Sequence, residues 1–467
     1  MVECLSTKTH RQPKGISSME SIQQIAEKFI QGIAAIDICE GLTEGLEKMG
    51  QLADEAICRM AEHKLEQMDD ALYANSNLRR GWVVEHKNVP REQLSKHELL
   101  RFERRYYRNQ KTGERRYLVD NLVGIERYER LETGLAANLC EKATDHSYAK
   151  SSKLCCAGEV SRQTVMRKTR QVQDIQLSEV KCRDDVRVIH IQADEDHVAM
   201  QDGRRDTIVK LVAIHEPALK VSHKRWKLPQ RHLMSSYNEP TDEFWLRVAD
   251  EIGLRYGDRE NLTIYIHGDG ANWIRSGTQW LKNSHFVLDK FHVLQKLNRV
   301  VGGNEDYKQY IWEQFKLGER LKIIHLTEAC MNSDVCAEST GTEFMTYIRS
   351  NWAGIQIWYD EQHRAGGSCA EGLVSHVLSS RLSSRPCGWR DEGLETVSRL
   401  RVHVLNGGRI TPENLRKPSK PTIQASKALK KTLAMDYYND SRVLSTDHRS
   451  SPEYRLFKAI TSGGRAI

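Results

Sequence analysis

Apolar residues recur at three- and four-residue spacing through Ile22, Ile25, Phe29 and Ile33, within a stretch free of proline from Glu20 to about Asn75. That period predicts helices with one buried stripe, interrupted at Gly41, Gly45 and Gly50. The pattern changes between Arg101 and Asp120. There two aromatic and basic stretches, RFERRYYR and RRYLVD, flank the loop NQKTGE, which predicts a β-hairpin. Helical spacing returns from Leu131 to Val172. SYAKSSKLCC reads as one helix, AGEV as a turn around Gly158, and Ser161 as the N-cap of SRQTVMRKTRQV. Two short helices joined by a glycine turn predict a helix–turn–helix.

The central region alternates between strand and helix signals. VRVIHIQADEDHVAMQ reads as a long strand. Asp202-Gly203 turns it into a second, RDTIVKLVAI, and ALKVSHKRWKL reads as a third. Pro240 and Thr241 open the helical run TDEFWLRVADEIGLRYG, which ends at Gly257. LTIYIHGDG is a short strand stopping at Gly268-Asp269-Gly270, GANWIRSGTQWL predicts a helix, and HFVLDKFHVLQKLN predicts a strand running into a helix. Residues 303–351 are Glu/Lys-rich with helical spacing. A last helix, EGLVSHVLSSRL, places Val374, Val377, Leu378 and Leu382 toward a core. The order predicts an α/β fold.

Length sharpens this picture: 467 residues suggest two to four domains at roughly 150 residues each. No apolar run approaches the roughly 20 residues of a membrane helix, and Met1 to Ser18 lacks the apolar stretch of a secretory signal. Those 18 residues read as a leader before a second start at Met19. Eleven cysteines without a C-x-x-C pair fit free thiols in a reducing cytoplasm better than zinc or disulfides. The net charge is +7, and it is local. Residues 401–467 carry 13 basic and 5 acidic side chains, and residues 77–118 carry 12 and 5. Two basic regions around an acidic centre fit a polyanion partner or, equally on charge alone, solvated surfaces.

The acidic centre holds the candidate chemistry. Alternation puts residues 188, 190, 192 and 194 on one strand face, with Asp196 beyond on the same face and Glu195 as a third acid in ADED. Asp269 follows a second strand, between glycines. Carboxylates at adjacent strand ends converge, and Mg²⁺ takes oxygen ligands of this kind. A pair of such ions activates water and stabilises a leaving oxygen in phosphodiester chemistry. The plainer alternative for each Asp is a turn former or helix cap. For the helix–turn–helix, Arg162, Gln163, Arg167, Lys168 and Arg170 suit base edges and phosphates. Arg104, Arg105 and Arg108 of the hairpin suit phosphates, or are ordinary solvated arginines.

IQADEDHVAMQ, IHGDGANWI, FVLDKFHVLQKLN and CAEGLVSHVLSSRLSSRPCGW, in that order behind a helix–turn–helix, resemble bacterial insertion-sequence transposases of the ISLre type and, more distantly, Mutator-type transposases. The resemblance runs from about Glu20 to about Leu405. It implies a ribonuclease H-like mixed sheet with an α-helical insertion, acting as an Asp-Asp-Glu transposase on double-stranded DNA with two Mg²⁺ ions, or Mn²⁺ in their place. Asp194 matches the first catalytic acid, with Asp196 as fallback, and Asp269 matches the second. Glu371 fits the third best, ahead of Glu361, Asp391 and Glu392. Asp289 and His292 match a site-shaping D/C-x-x-H signature, or else are a helix-start Asp and a packed histidine. The implied layout is a disordered leader at 1–18, a helical and hairpin region at 19–125 and the helix–turn–helix at 131–175. The core follows at 183–302, the insertion at 303–351, core completion at 352–405 and a basic tail at 406–467. A homo-oligomer, cytoplasmic and nucleoid-associated, is expected, since two element ends must meet. A DNA-binding regulator without activity and a nuclease that cuts without joining are the alternatives.

Overall fold

The computed structural model describes residues 21–173, 175, 181–204, 207–223, 225–257, 260–360, 365–385 and 387–415. The leader expected at 1–18, Glu361 and the tail beyond Leu415 lie outside the described residues. The described chain forms two compact units divided after Ala136.

The first unit opens with the helix Ile22–Ala34, whose N-cap Ser21 forms a capping box with Gln24. A single 33-residue helix, Leu42–Ala74, follows. Gly41 separates the two, but Gly45 and Gly50 stay inside the second, contrary to the sequence expectation. A mid-helix glycine costs only about 1 kcal/mol, and packing offsets it. The expected hairpin is the outer part of a three-stranded antiparallel sheet: β1 (Trp82–Leu94), β2 (Leu99–Asn109) and β3 (Arg115–Tyr117). β1 was not foreseen, because its charged sequence hides the alternation. The chain after Tyr117 turns helical over Leu118–Val123 instead of extending as RRYLVD suggested.

Helix Leu42–Ala74 docks on β2 through carboxylates. The Arg101, Glu103 and Arg105 N–H groups donate to Glu62 (2.6 Å), Glu66 (2.9 Å) and Asp69 (3.1 Å). Helix positions four and three apart advance about 6 and 4.5 Å, against about 6.6 Å for two strand residues. Over the three contacts the helix advances about 10.5 Å and the strand about 13 Å, a difference that side chains of this length span, and the acids stand in for a missing strand partner.

The second unit is built on a mixed five-stranded sheet: β4 (Val188–Val198), β5 (Thr207–His215), β8 (His232–Ser236), β9 (Thr263–Gly268) and β10 (Ser284–Leu288). The spatial order is β10-β9-β4-β5-β8. β9 runs parallel to both β4 and β10, and β5 runs antiparallel to both β4 and β8. The expected third strand, ALKVSHKRWKL, is displaced. It forms a separate hairpin, β6 (Leu219–Ser222) with β7 (Arg225–Lys227), exposed at every described position. The sheet recruits His232–Ser236 instead, whose Leu233 and Met234 are buried.

Both sheet faces are covered. Ile189, Ile191, Ala193 and Ile266 pack against Phe244, Trp245 and Val248 of the helix Thr241–Tyr256. Val209, Leu211 and Ala213 pack against Leu373, Val377 and Leu378, with Leu394 and Val397 of the helix Asp391–Leu405 beside them. Between β10 and that layer, three helices, Glu305–Lys316, Arg320–Asn332 and Glu338–Gln356, form their own core around Phe315 and Phe344. This is the helical segment expected at 303–351, running five residues further. The helix–turn–helix pair, Tyr148–Cys156 and Arg162–Arg170, belongs to the same unit as the sheet. Ser161 caps the second helix as expected, its hydroxyl accepting from the Thr164 N–H at 3.2 Å.

Candidate active site

The parallel pairing of β4 with β9 ends at Gln192 opposite His267. Two residues further on, β4 presents Asp194, and one residue past β9 stands Asp269. The even residues of β4 face the layer that carries Glu371. Gln192 Oε1 accepts from the Cys369 N–H at 3.1 Å, just before the helix Ala370–Val374 begins. Asp196 is buried and accepts from the Ser379 and Ser383 hydroxyls at 2.9 and 2.8 Å. Asp196, the fallback, thus anchors the helix that Glu371 opens, while Asp194 keeps its side chain clear of those hydroxyls.

Among the described residues, Asp194, His292 and Glu371 form a cluster whose ligand atoms lie within 4.8 Å of one another. Asp194 is nearly buried, His292 half-buried and Glu371 exposed. Burial pushes the Asp194 carboxyl up to about 7. The Glu195 N–H opposes this, and the negative charges of Asp269, Glu371 and Glu195 add to it. Within the described residues no Lys or Arg pairs with Asp194, Asp269 or Glu371. Two carboxylates and an imidazole offer the donor set of a divalent cation, and the imidazole favours Mn²⁺ over Mg²⁺. The structure therefore moves His292 from the margin of the site into its centre.

Asp269 sits beside that cluster, close enough to act on Asp194 electrostatically. Its Oδ1 accepts from the Ala271 N–H at 2.8 Å, the turn-forming role weighed from sequence. The inserted helix Glu338–Gln356 holds this loop: the Tyr347 hydroxyl donates to the Asp269 carbonyl at 2.6 Å. A Cβ on Gly270 would lie 2.6 Å from Asn351 Oδ1, and φ is +98° there, so only glycine suits the turn. Tyr347 and Asn351 had no sequence signal, because they lie near 80 residues from Asp269 in a helix that reads as surface. Asp289 caps the helix Lys290–Val300 through the Phe291 N–H at 2.8 Å, which fixes the first turn carrying His292.

The helix of Glu371 is irregular. Ala370–Val374 passes through a π-turn, Ser375–Ser379, into Ser380–Leu382. Such a turn leaves carbonyls without their usual partners, and Arg401, itself 4% exposed, fills the gap. Its guanidinium donates to the Val377 and His376 carbonyls, to the Ser380 hydroxyl at 2.8 Å, and to the Thr144 carbonyl and Asp145 carboxylate at 2.9 Å. The same group thus ties the Glu371 helix to the segment entering the helix–turn–helix. Asp391 and Glu392, the rival acids, are engaged by Arg204 and Arg170.

The basic candidates divide. Arg162, Gln163 and Arg167 are exposed, and Lys168 is half-buried. Arg170 is held by Glu392 at 3.0 Å, which removes it from the set facing solvent. In the first unit Arg104 is buried against Asp120 and stacked 3.6 Å from the Tyr117 ring. Arg105 bridges Asp69 and Asp70 at 2.7 Å each. Only Arg108 of those three is exposed. The other two are corrected from phosphate contacts to internal ion pairs.

Comparison with known proteins places the chain in a family. The profile of an uncharacterised protein family, UPF0236, matches residues 39–417. A UPF0236 protein of Caldanaerobacter subterraneus subsp. tengcongensis is 32% identical over 454 residues, 94% of this chain and 95% of its own. Another from that organism is 32% identical over 442 residues, 92% of each chain. The names of these two relatives join four and eleven locus labels of that organism. No described helix is long and apolar enough to cross a membrane.

Proposed function

The chain belongs to the UPF0236 family, and we propose that this member is a metal-dependent DNA transposase of the Asp-Asp-Glu kind on a ribonuclease H-like core. The observation that carries the reading is a set of acids brought to one end of the sheet and, among the described residues, left without a basic partner. Asp194 and Asp269 follow the end of the parallel β4–β9 pairing, and Glu371 arrives from a helix beyond a helical insertion. The sheet order, with its second strand antiparallel, fits the same reading. The joined locus labels of the relatives fit it too, since a protein encoded at several places in one genome is what a mobile element leaves behind.

Asp194, Glu371 and His292 are the residues that would hold a divalent ion, with Asp269 beside them for a second. Such an ion supplies Lewis acidity at the attacked phosphate and at the leaving oxygen. The chain's own groups do the rest. Asp289 and Tyr347 fix the first turn carrying His292 and the loop of Asp269. Asp196 and Arg401 hold the helix of Glu371. Arg162, Gln163, Arg167 and Lys168 meet phosphates and base edges of the terminal inverted repeats. The reaction is phosphodiester hydrolysis at an element end, freeing a 3′-OH, followed by attack of that hydroxyl on a target phosphodiester with loss of the target's own 3′ oxygen as leaving group. A homo-oligomer brings two ends together.

The test uses labelled DNA from either side of the gene and a plasmid target, with Mg²⁺ or Mn²⁺, beside Asp269→Asn. Metal-dependent 3′-OH ends and joined products, absent in the variant, are expected. Cleavage without joining would mark a nuclease, end binding without cleavage a regulator, and full activity in the variant would remove Asp269 from the site.

A further inference from the structure

The β6–β7 hairpin has no place in the core. All of its strand residues are exposed, among them Leu219, Val221 and Trp226 at 57–59%. A two-stranded hairpin alone is marginal in water, and three large apolar side chains in solvent oppose it further. Its charged residues share one sign. Between Leu219 and Lys227 stand Lys220, Lys224, Arg225 and Lys227, with no acid. Lys220 lies 5.9 Å from the Trp226 ring. Past β7 the charge is mixed: Arg231 lines a cavity of about 660 Å³ together with Lys181, Arg183 and Arg255 and with Asp184 and Asp185. Arg183 and Arg255 are balanced by Glu216 and Glu251.

We propose that this hairpin is a second DNA-contacting element, a basic ribbon that enters the groove of duplex DNA apart from the helix–turn–helix. Charge selects the occupant: a purely cationic ribbon complements a polyphosphate, and a two-stranded ribbon fits the roughly 12 Å major groove. The hairpin leaves β5 at the end of the sheet away from the acids: it starts four residues past His215, which pairs with His190, itself four strand residues before Asp194. Those eight residue steps span roughly 26 Å, less than one duplex turn of about 34 Å. The inference rests on the reading of DNA as substrate, and adds where DNA flanking the reacting phosphate is held.

The test compares the full-length protein with the triple variant Lys220→Glu, Arg225→Glu, Lys227→Glu and with Trp226→Ala. Fluorescence anisotropy on a 30-base-pair duplex of unrelated sequence is followed against salt, with anionic phosphatidylserine vesicles as the competing partner. Since no altered residue packs on the core, melting temperature and Mn²⁺ binding at the carboxylates should not change. The triple variant is expected to bind at least about tenfold more weakly, with a salt slope shallower by about two to three. Trp226→Ala should weaken binding about fivefold with the slope kept. Equal affinity and slope in the triple variant overturn the inference alone, as does loss of vesicle binding with duplex binding intact. A wild-type protein that binds no duplex at low salt overturns the functional reading along with it.

Discussion

Glu62, Glu66 and Asp69 in the first unit and Asp194, Asp269 and Glu371 in the second are both sets of three carboxylates gathered at a strand, but their surroundings differ. The first set accepts the Arg101, Glu103 and Arg105 N–H groups of β2, and Arg59 and Arg105 add charge partners to Glu62 and Asp69. Among the described residues the second set has only the N–H groups of Glu195 and Ala271, and no Lys or Arg. Burial raises Asp69 to about 6 and Asp194 to about 7. For Asp69 the Arg105 guanidinium opposes that rise, whereas for Asp194 the neighbouring acids add to it. A cluster that closes on its own partners is structural. One that repels itself at a sheet end is completed from outside, by a cation or by protons.

The widest separation between the two sets should appear in activity. Glu371→Gln keeps the size of an exposed side chain and removes one ligand charge. DNA cleavage is expected to fall by a factor on the order of 10³, with the melting temperature unchanged. Glu66→Gln, at the other set, should leave cleavage untouched. A cleaving Glu371→Gln protein would return the second set to structural status.

Stability should show the reverse. Asp120→Ala leaves the Arg104 guanidinium buried without its partner, and breaking such a pair costs about 3–5 kcal/mol. Urea unfolding of the first unit measures it. A loss under 1 kcal/mol would mean that Arg104 reaches solvent and could serve DNA after all.

A smaller effect is expected where the two kinds of role meet. Arg401 touches no candidate ligand, yet its donors satisfy the π-turn that carries Glu371 onward. Arg401→Lys keeps the charge and loses the fork. It should weaken Mn²⁺ binding about tenfold while leaving duplex affinity alone, and adding millimolar guanidinium to Arg401→Ala should recover part of the loss. Proportional loss of DNA and metal binding would indicate simple unfolding.

Which parts of this were legible in the sequence follows from what each depends on. The strand of Asp194, the turn at Asp269 and the helix opened by Glu371 are set by local periodicity and glycine punctuation, and they stand where the pattern put them. β8 is five residues long, and its signal is weaker than that of KVSHKRWK nearby, which alternates but has nothing to pack on. The pairing of Arg104 with Asp120 spans a strand, a turn and a helix start, so basic residues counted along the chain overstate the cationic surface. His292 carries two readings in the sequence, a site-shaping residue or a packed histidine, and only the capping of its helix by Asp289 and the cluster with Asp194 and Glu371 separate them. Tyr347 and Asn351 reach the Asp269 loop through tertiary packing alone, which no window of sequence contains.

The subtlest contrast lies in proton linkage. The Asp194 carboxyl is raised to about 7 in the fold, against about 3.9 in an unfolded chain. The folded protein therefore holds more protons between about pH 4 and 7, and its stability falls as pH rises across that window. Asp194→Asn removes this dependence. Without divalent ions the variant should be more stable than wild type above pH 7, by on the order of 1 kcal/mol once solvent relaxation is allowed for, or about 2–4 °C in melting temperature. Saturating Mn²⁺ should invert the order, because the ion binds the folded wild type and stabilises it by mass action, while the variant has lost a ligand. At the other set, Asp69→Asn surrenders its Arg105 contacts and should be the less stable protein at pH 7 with or without Mn²⁺. Melting curves at pH 5 and 8, with Mn²⁺ and with chelator, separate these cases. An Asp194→Asn protein that is less stable than wild type in chelator at pH 8 would show that Asp194, like Asp69, is held by the protein itself.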